Sequence, residues 1–184
     1  MKVFIFGAAL RKDSLNQELA RQAARILGEV SGISVDLAAF SEFPMPVYDG
    51  DLEESSGMPE GAEKLAARIA AADAIVISAP EYNGSISGAL KNAIDWVSRS
   101  DNNPFDGRPL LLMGASPGAL GAVRGLWHTR VPFEAMGSLV YPELFGLPRA
   151  HQAFADIGFA DAKTESRLKE LLQDFSKFAL KLKN

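Results

Sequence analysis

The sequence predicts an open α/β fold, in which a five-stranded parallel sheet carries helices on both faces. Two observations favour this fold. Largely apolar runs such as Lys2 to Ala8 and Ala74 to Ala79 are typical of strands that are buried on both sides. Segments with apolar residues at helical spacing separate these runs, so strands and helices alternate along the chain. Such alternation predicts parallel strands, because helices form the crossovers that connect them.

Each element follows from its own local pattern. Apolar residues three and four apart predict a helix from Leu15 to Leu27, and alternating polarity predicts a second strand from Ile33 to about Phe40. The proline- and glycine-rich stretch from Ser41 to Pro59 predicts a long irregular loop. The remaining predicted elements are a helix from Glu60 to Ala72, a strand from Ala74 to Ala79, a helix from Gly88 to Arg99, a strand from Leu110 to Gly114, a helix from Leu120 to Met136, a strand within Ser138 to Phe145 and a helix from Thr164 to Leu182.

Five strands joined in this way match the flavodoxin-like order 2-1-3-4-5, with a switch point between strands 1 and 3. The chain of 184 residues contains no recognisable linker or repeat, and we therefore predict one domain over residues 1–184. In such a sheet the turns after strands 1, 3 and 4 share one edge, and ligands bind at that edge.

Composition limits the classes of function. Hydrophobic residues make up 47% of the chain and charged residues 23%, which is typical of globular proteins. A net charge of -4 gives no electrostatic reason to expect nucleic acid or an anionic membrane as a partner. Cysteine is absent, which excludes disulfides, thiol nucleophiles and thiolate metal sites, and fits a reducing cytoplasm. The two separated histidines, His128 and His151, predict no metal site.

The turn after the first strand, Ala8 to Asn16, favours a phosphate. It contains neither the G-x-G-x-x-G pattern nor a P-loop. It does place Arg11, Ser14 and Asn16 at a helix N-terminus, where free N–H groups and the helix dipole attract anions. The alternative is that Ser14 or Asp13 only caps the helix, while Arg11 and Lys12 are solvated.

The other two turns favour a planar ligand. In Pro80 to Ser85, Tyr82 offers a flat face, Asn83 a donor and an acceptor, and Gly84 a close approach of the backbone to a ring. Small residues from Gly114 to Gly121 could bring backbone N–H groups near a developing negative charge. The alternatives are an ordinary start of a helix, capped by Ser85 or Ser87, and tight packing of strand against helix.

A phosphate end, a polar ring clamp and a wall of small residues together describe a flavin mononucleotide (FMN) site. Pro80-Glu81-Tyr82-Asn83, with Leu90 to Trp96 and Ser98-Arg99, resembles the signature of the NADPH-dependent FMN reductase family. Members of this family are also described as quinone, chromate or azo-dye reductases. The resemblance spans about residues 1 to 145. It implies cofactor contacts from Arg11, Ser14, Leu15, Asn16, Pro80, Glu81, Tyr82, Asn83, Gly84, Ser116 and Gly118.

The resemblance implies an FMN-dependent oxidoreductase. NADPH or NADH would pass a hydride through flavin N5 to a small acceptor such as a quinone, free flavin, chromate or azo compound, with no side-chain acid or base. It also implies a homodimer or homotetramer, in which Arg124 and Glu143 could pair between subunits. The favoured alternative for these two residues is a solvated surface pair. One alternative is a flavodoxin-type electron carrier that binds FMN without its own turnover of NAD(P)H. Another is a module that binds a phosphate ligand without flavin.

Two positions depart from the family pattern. The phosphate loop has Ala8-Ala9 where relatives often have Gly-Ser, so that one hydroxyl is missing. Position 84 is glycine where relatives often have a bulky or aromatic residue, and the packing against the ring or a neighbouring subunit is expected to be looser there.

Overall fold

A computed structural model of the chain describes residues 1–183. The strands in this range are β1 (Lys2–Gly7), β2 (Ser34–Ala39), β3 (Ala74–Ser78), β4 (Glu81–Tyr82), β5 (Ser85–Ile86), β6 (Pro109–Ala115), β7 (Leu139–Val140) and β8 (Phe145–Leu147). The α-helices are α1 (Leu15–Gly28), α2 (Gly50–Ser56), α3 (Glu60–Ala70), α4 (Gly88–Val97), α5 (Val123–Ala135) and α6 (Ala162–Lys183). In the same range, no helix is both long and apolar enough to span a membrane.

The predicted sheet order is confirmed, with one difference at its far edge. The strands run in the order β2-β1-β3-β6, all parallel, and the fifth position is divided between β7 and β8. β7 pairs with the start of β6 and β8 with its end. Pro142 lies between the two pieces and has no N–H to donate to a ladder, which explains the interruption. β4 and β5 form a separate antiparallel hairpin.

The central strands are buried on both faces, as their apolar runs predict. Alternate residues enter two different cores because strand side chains have a period of two. One core packs β1, β3 and β6 against α3, α4 and α5, and the other packs the same strands against α1 and α6. Representative members of the first core are Phe4, Ile75, Leu65, Ile94 and Phe133, and of the second Ile5, Val76, Leu19, Leu168 and Phe175.

The prediction of an irregular loop from Ser41 to Pro59 is wrong in part. The segment contains the short helix α2, whose first turn Asp49 caps by accepting the N–H of Asp51. The segment is also clasped to α4. Pro46 O accepts hydrogen bonds from Asn92 Nδ2 and Trp96 Nε1, both at 2.8 Å. These side chains lie 46 and 50 positions away in the sequence. The conformation of the segment therefore depends on tertiary contacts, which its own composition cannot predict.

Two glycines let the helices approach the carboxyl edge of the sheet. A Cβ at Gly7 would lie 2.6 Å from the backbone of Asn16 and Gln17, so α1 begins in direct contact with the end of β1. A Cβ at Gly114 would lie 2.9 Å from Ala79 O and from Ala122 Cβ. Backbone atoms are therefore in direct contact where β1, β3 and β6 end and the following segments begin.

Candidate active site

An open cleft of about 320 Å³ lies at this edge, between the turns after β1, β3 and β6. Its size is at the lower end of the range of small-molecule sites. The three turns that the sequence predicts to share one edge thus do line one cavity. Its lining residues are Ala9, Arg11, Asp13, Ser14, Leu15, Asn16, Pro80, Glu81, Tyr82, Ala115, Ser116 and Pro117.

Ser14 caps α1 and faces the cleft. Its Oγ accepts the N–H groups of Asn16 and Gln17 at 3.2 and 3.3 Å. A hydroxyl has two acceptor lone pairs and one O–H donor, so these contacts leave the O–H available to a ligand. Arg11 lies on the same turn with an exposed side chain. The capping alternative and the phosphate hypothesis are therefore compatible in one residue.

The side-chain amide of Asn16 forms hydrogen bonds with Ser78 and Ala115. Its Oδ1 accepts hydrogen bonds from Ser78 Oγ and Ala115 N, both at 2.9 Å, and its Nδ2 donates to Ala115 O at 3.0 Å. The residue is 4% exposed. The amide joins the start of α1 to the ends of β3 and β6, and these bonds occupy both acceptor lone pairs of Oδ1. Nδ2 carries a second N–H that these bonds do not use, and Asn16 lines the cleft, so the predicted donation to a phosphate stays a prediction.

The second turn is a two-residue β-hairpin rather than a simple start of a helix. Asn83 and Gly84 have φ values of 52° and 75°, the positive values that a type I′ turn requires at both central positions. Glu81 pairs with Ile86 and Tyr82 with Ser85. Asn83 is exposed and does not line the cleft, and the positive φ of Gly84 serves the turn. Gly84 is likewise not among the residues that line the cleft, and the contacts of both residues with a ring stay a prediction. The predicted capping of α4 by Ser87 is present at Leu90 N.

Glu81 lines the cleft, and its carboxylate accepts hydrogen bonds from Arg124 and Gly125 of α5. Gly125 N donates to Oε2 at 3.0 Å, and Arg124 donates to Oε1 through Nε, at 3.0 Å, and through Nη2. Burial alone would raise the pKa of Glu81, but the hydrogen bonds from Gly125 and Arg124 outweigh it and lower the pKa below its usual value. Arg124 is thus paired with Glu81 within its own chain. The expected pairing of Arg124 with Glu143 between subunits stays a prediction.

The third turn contributes a wall of small residues, but few free donors. Ala115 N is bound by Asn16, and Ser116 N donates to Leu147 O at 3.1 Å. Gly118 N donates to Ser116 Oγ at 3.1 Å, and Gly118 does not line the cleft. These N–H groups are therefore unavailable to a developing negative charge. The predicted close approach through Ala115, Ser116 and Pro117 remains.

Comparison with known proteins identifies the family. Residues 1–152 match the family described as NADPH-dependent FMN reductase. The chain is 36% identical over 149 residues to a quinone reductase of Escherichia coli, covering 79% of this chain and 77% of that protein. It is 35% identical over 176 residues to an NAD(P)H-dependent FMN reductase of Pseudomonas aeruginosa, covering 94% and 92%. The chain belongs to the NADPH-dependent FMN reductase family.

Solved structures agree with this membership of the FMN reductase family. The NAD(P)H:(acceptor) oxidoreductase FerB of Paracoccus denitrificans, a flavoenzyme, matches with a TM-score of 0.83 at 30% identity, covering 98% of this chain and 97% of that one. A flavodoxin from an archaeon matches with a TM-score of 0.65 at 13% identity, and this likeness concerns the fold alone. The predicted family, fold class, enzyme class and cofactors are confirmed, and the oxidoreductase interpretation is favoured over the electron carrier.

Three features of this FMN reductase site were missed from the sequence. Asn83-Gly84 is the strongest short hairpin signal, and it could have predicted β4 and β5. Arg124 and Gly125 bind Glu81 from more than 40 positions away, and no local pattern indicates that contact. Gly121 and Ala122 have positive φ values, which are not helical, so α5 begins at Val123 and not at the predicted Leu120.

Replacing Asn16 with alanine should lower the free energy of unfolding by about 2–4 kcal/mol, because three buried polar groups lose their partner. Gln22→Ala is the matched control. Gln22 is also a buried amide of α1, but among the residues that the structure describes its side chain bonds only Glu18 and Arg25, on the same helix. We expect it to cost less than about 1 kcal/mol. Denaturant unfolding measures both, and equal losses would contradict the bridging role of Asn16.

Proposed function

We propose that the cleft binds FMN with its phosphate at the start of α1 and its ring between Tyr82 and the wall of small residues. The observation that carries this proposal is the meeting of a capped helix N-terminus, an exposed aromatic face and a small-residue wall in one cavity. Each of these parts fits a different portion of the same nucleotide.

The phosphate end rests on Ser14, Arg11 and the backbone of the first turn of α1. The uncommitted O–H of Ser14 can donate to a phosphate oxygen, and the Arg11 guanidinium can pair with its charge. The dipole of the 14-residue helix α1 adds positive potential at the same point. The donor set therefore fits an anion despite the absence of a hydroxyl at Ala8-Ala9.

The ring end rests on Pro80 and Tyr82 on one side and Ala115, Ser116 and Pro117 on the other. Tyr82 is 58% exposed, so its flat face is available at the rim of the cleft. Leu15 and Asn16 contribute to the floor. This lining is mainly apolar with polar edges, which suits a planar heteroaromatic ring.

FMN, when bound, supplies the hydride chemistry between NADPH or NADH and an acceptor. The chain's own contribution is binding and orientation. Glu81 lines the cleft, but its carboxylate is engaged by Arg124 and Gly125 and serves as an anchor rather than as an acid. We propose a quinone as the acceptor class, because relatives of this chain are named quinone reductases.

The decisive experiment is a flavin spectrum of the purified protein, followed by anaerobic titration with NADPH and NADH and a quinone turnover assay. We expect bound FMN, bleaching of its absorbance by NAD(P)H and catalytic reduction of a benzoquinone. FMN that binds without oxidising NAD(P)H would indicate an electron carrier. Failure to bind FMN would contradict the proposal altogether.

Replacing Ser14 with glycine should weaken FMN binding about tenfold and leave riboflavin binding unchanged. The substitution removes the O–H donor to a charged group, worth about 1.5 kcal/mol. Glycine is well tolerated at a helix N-cap, so the free energy of unfolding should fall by only a few tenths of a kcal/mol. Fluorescence titrations with both flavins measure the difference.

Ser14→Ala is the paired control for this prediction. Alanine lacks both the donor and the cap, so it should lose the same factor in FMN affinity and about 1 kcal/mol of stability in addition. The phosphate assignment would be contradicted if the loss of FMN affinity were larger in Ser14→Ala than in Ser14→Gly, in proportion to the loss of stability. It would also be contradicted if FMN and riboflavin lost affinity equally.

We also propose that the protein forms a homodimer or homotetramer through the outer face of α5. Trp127 and Val131 lie four residues apart on that face and are 57% and 65% exposed. Phe105 is 3% exposed and belongs to the core, so its side chain adds nothing to this surface.

Light scattering should show at least a dimer for the natural chain and a smaller species for Trp127→Lys. Ile157→Lys is the control, since Ile157 is 83% exposed and lies outside α5. A monomer for the natural chain at assay concentration would contradict the assembly, and an equal effect of both variants would contradict the role of α5.

A cytoplasmic location is part of the proposal. It is supported by the absence of cysteine from the sequence and by a family that uses nicotinamide nucleotides.

A further inference from the structure

The hairpin that lines the ring end of the cleft is fastened to α5 by one carboxylate. Both oxygens of Glu81 are used, since Oε1 accepts from Arg124 and Oε2 accepts from Gly125 N at 3.0 Å. The Glu81 side chain is 9% exposed, while that of Arg124 is 54% exposed. The contact therefore reaches from the solvent side of α5 into the cleft wall.

Backbone packing reinforces the same junction. A Cβ at Gly125 would lie 2.9 Å from Glu81 Cβ and 3.0 Å from Ser85 O, so the first turn of α5 touches the hairpin directly. His128 Nδ1 lies 3.0 Å from Ser85 Oγ on the second strand of the hairpin. The hairpin consequently has little freedom to move relative to α5.

The guanidinium of Arg124 also covers the tip of the hairpin. Its Cζ and Nε lie 3.8 Å from the position that a Cβ of Gly84 would take. A Cβ at position 84 would therefore be in ordinary van der Waals contact with the guanidinium. One side chain contacts both the anchor of the hairpin and its tip.

We propose that Arg124 and Gly125 are positioning residues for the ring end of the cleft, acting through Glu81. This inference rests on the proposed binding of FMN in that cleft. The physical basis is that Glu81 lines the cleft while its carboxylate is bound by Arg124 and Gly125 on α5. Removing a donor releases the hairpin and leaves a nearly buried negative charge without full compensation.

The uncompensated charge of Glu81 should change the midpoint potential of bound flavin in a predictable direction. Reduction adds electron density to a flavin, and a negative charge beside the ring opposes that addition. Loss of Arg124 should therefore weaken the binding of reduced flavin more than that of oxidised flavin. The midpoint potential, which reports the ratio of the two affinities, should fall.

The test compares Arg124→Met, Arg124→Lys and Arg130→Met with the natural protein. Arg130 is the matched control, because it is an arginine of the same helix that bonds Glu134 and Tyr141 O and, within residues 1–183, makes no bond to the hairpin. Dissociation constants for FMN and riboflavin and the midpoint potential of bound flavin are measured for each.

We expect Arg124→Met to weaken FMN and riboflavin by the same factor, about tenfold, because the ring and not the phosphate is affected. The ratio of the affinities for oxidised and reduced flavin should rise about threefold. Arg124→Lys, which keeps the charge, should recover part of both effects, and Arg130→Met should show neither.

Two results would overturn the inference and are distinct from each other. If the natural protein binds FMN while Arg124→Met keeps both affinities and the potential, Arg124 has no positioning role. If Arg130→Met produces the same changes, the effect is one of general stability. Failure of the natural protein to bind either flavin would instead overturn the proposed function, and the inference with it.

Discussion

The arrangement of the cleft depends on the amide of Asn16. The carboxyl ends of parallel strands in an open sheet diverge because the sheet twists, and the backbone groups there lack further ladder partners. Asn16 satisfies Ala115 N and O and binds Ser78 Oγ, and so it ties β3 and β6 to the start of α1. Gly7 makes this possible, since a side chain there would occupy the space of α1. The distance between the phosphate end and the small-residue wall is thereby fixed.

Most polar groups near the cleft hold the protein together and do not face a ligand. Asn16 and Glu81 are engaged with the chain, and so is the N–H of Ser116. Groups that line the cleft and keep bonding capacity for a ligand include the O–H of Ser14, the second N–H of Asn16 Nδ2, the cation of Arg11 and the face of Tyr82. A site of this kind binds through a few convergent groups on a fixed frame, and such preorganisation reduces the entropy that binding must overcome.

The sequence predicted what is local or periodic. Apolar runs located the buried strands, and the alternation of elements was sufficient for the order 2-1-3-4-5. The sequence could not show which side chains form hydrogen bonds with residues far away in the chain. Asn16 has the residue type of a phosphate ligand, and only the fold shows that its amide is bound to Ala115, 99 positions away. The same holds for Glu81 and Arg124, which are 43 positions apart. The sequence could name candidate site residues by type, whereas the partners of their side chains depend on tertiary contacts.

Asn83 and Gly84 show how two valid local rules can compete. An amide beside a glycine, after a buried strand, is consistent with ligand contact in an α/β sheet. The same dipeptide is the preferred type I′ turn, because both residues adopt positive φ at low cost. The second rule prevails because Tyr82 and Ser85 are paired across it and α5 packs against both strands. The turn therefore contributes to the site through the shape of the hairpin. Glu81 joins the hairpin to Arg124 and Gly125, and under the proposed binding of FMN the start of α5 therefore belongs to the functional architecture.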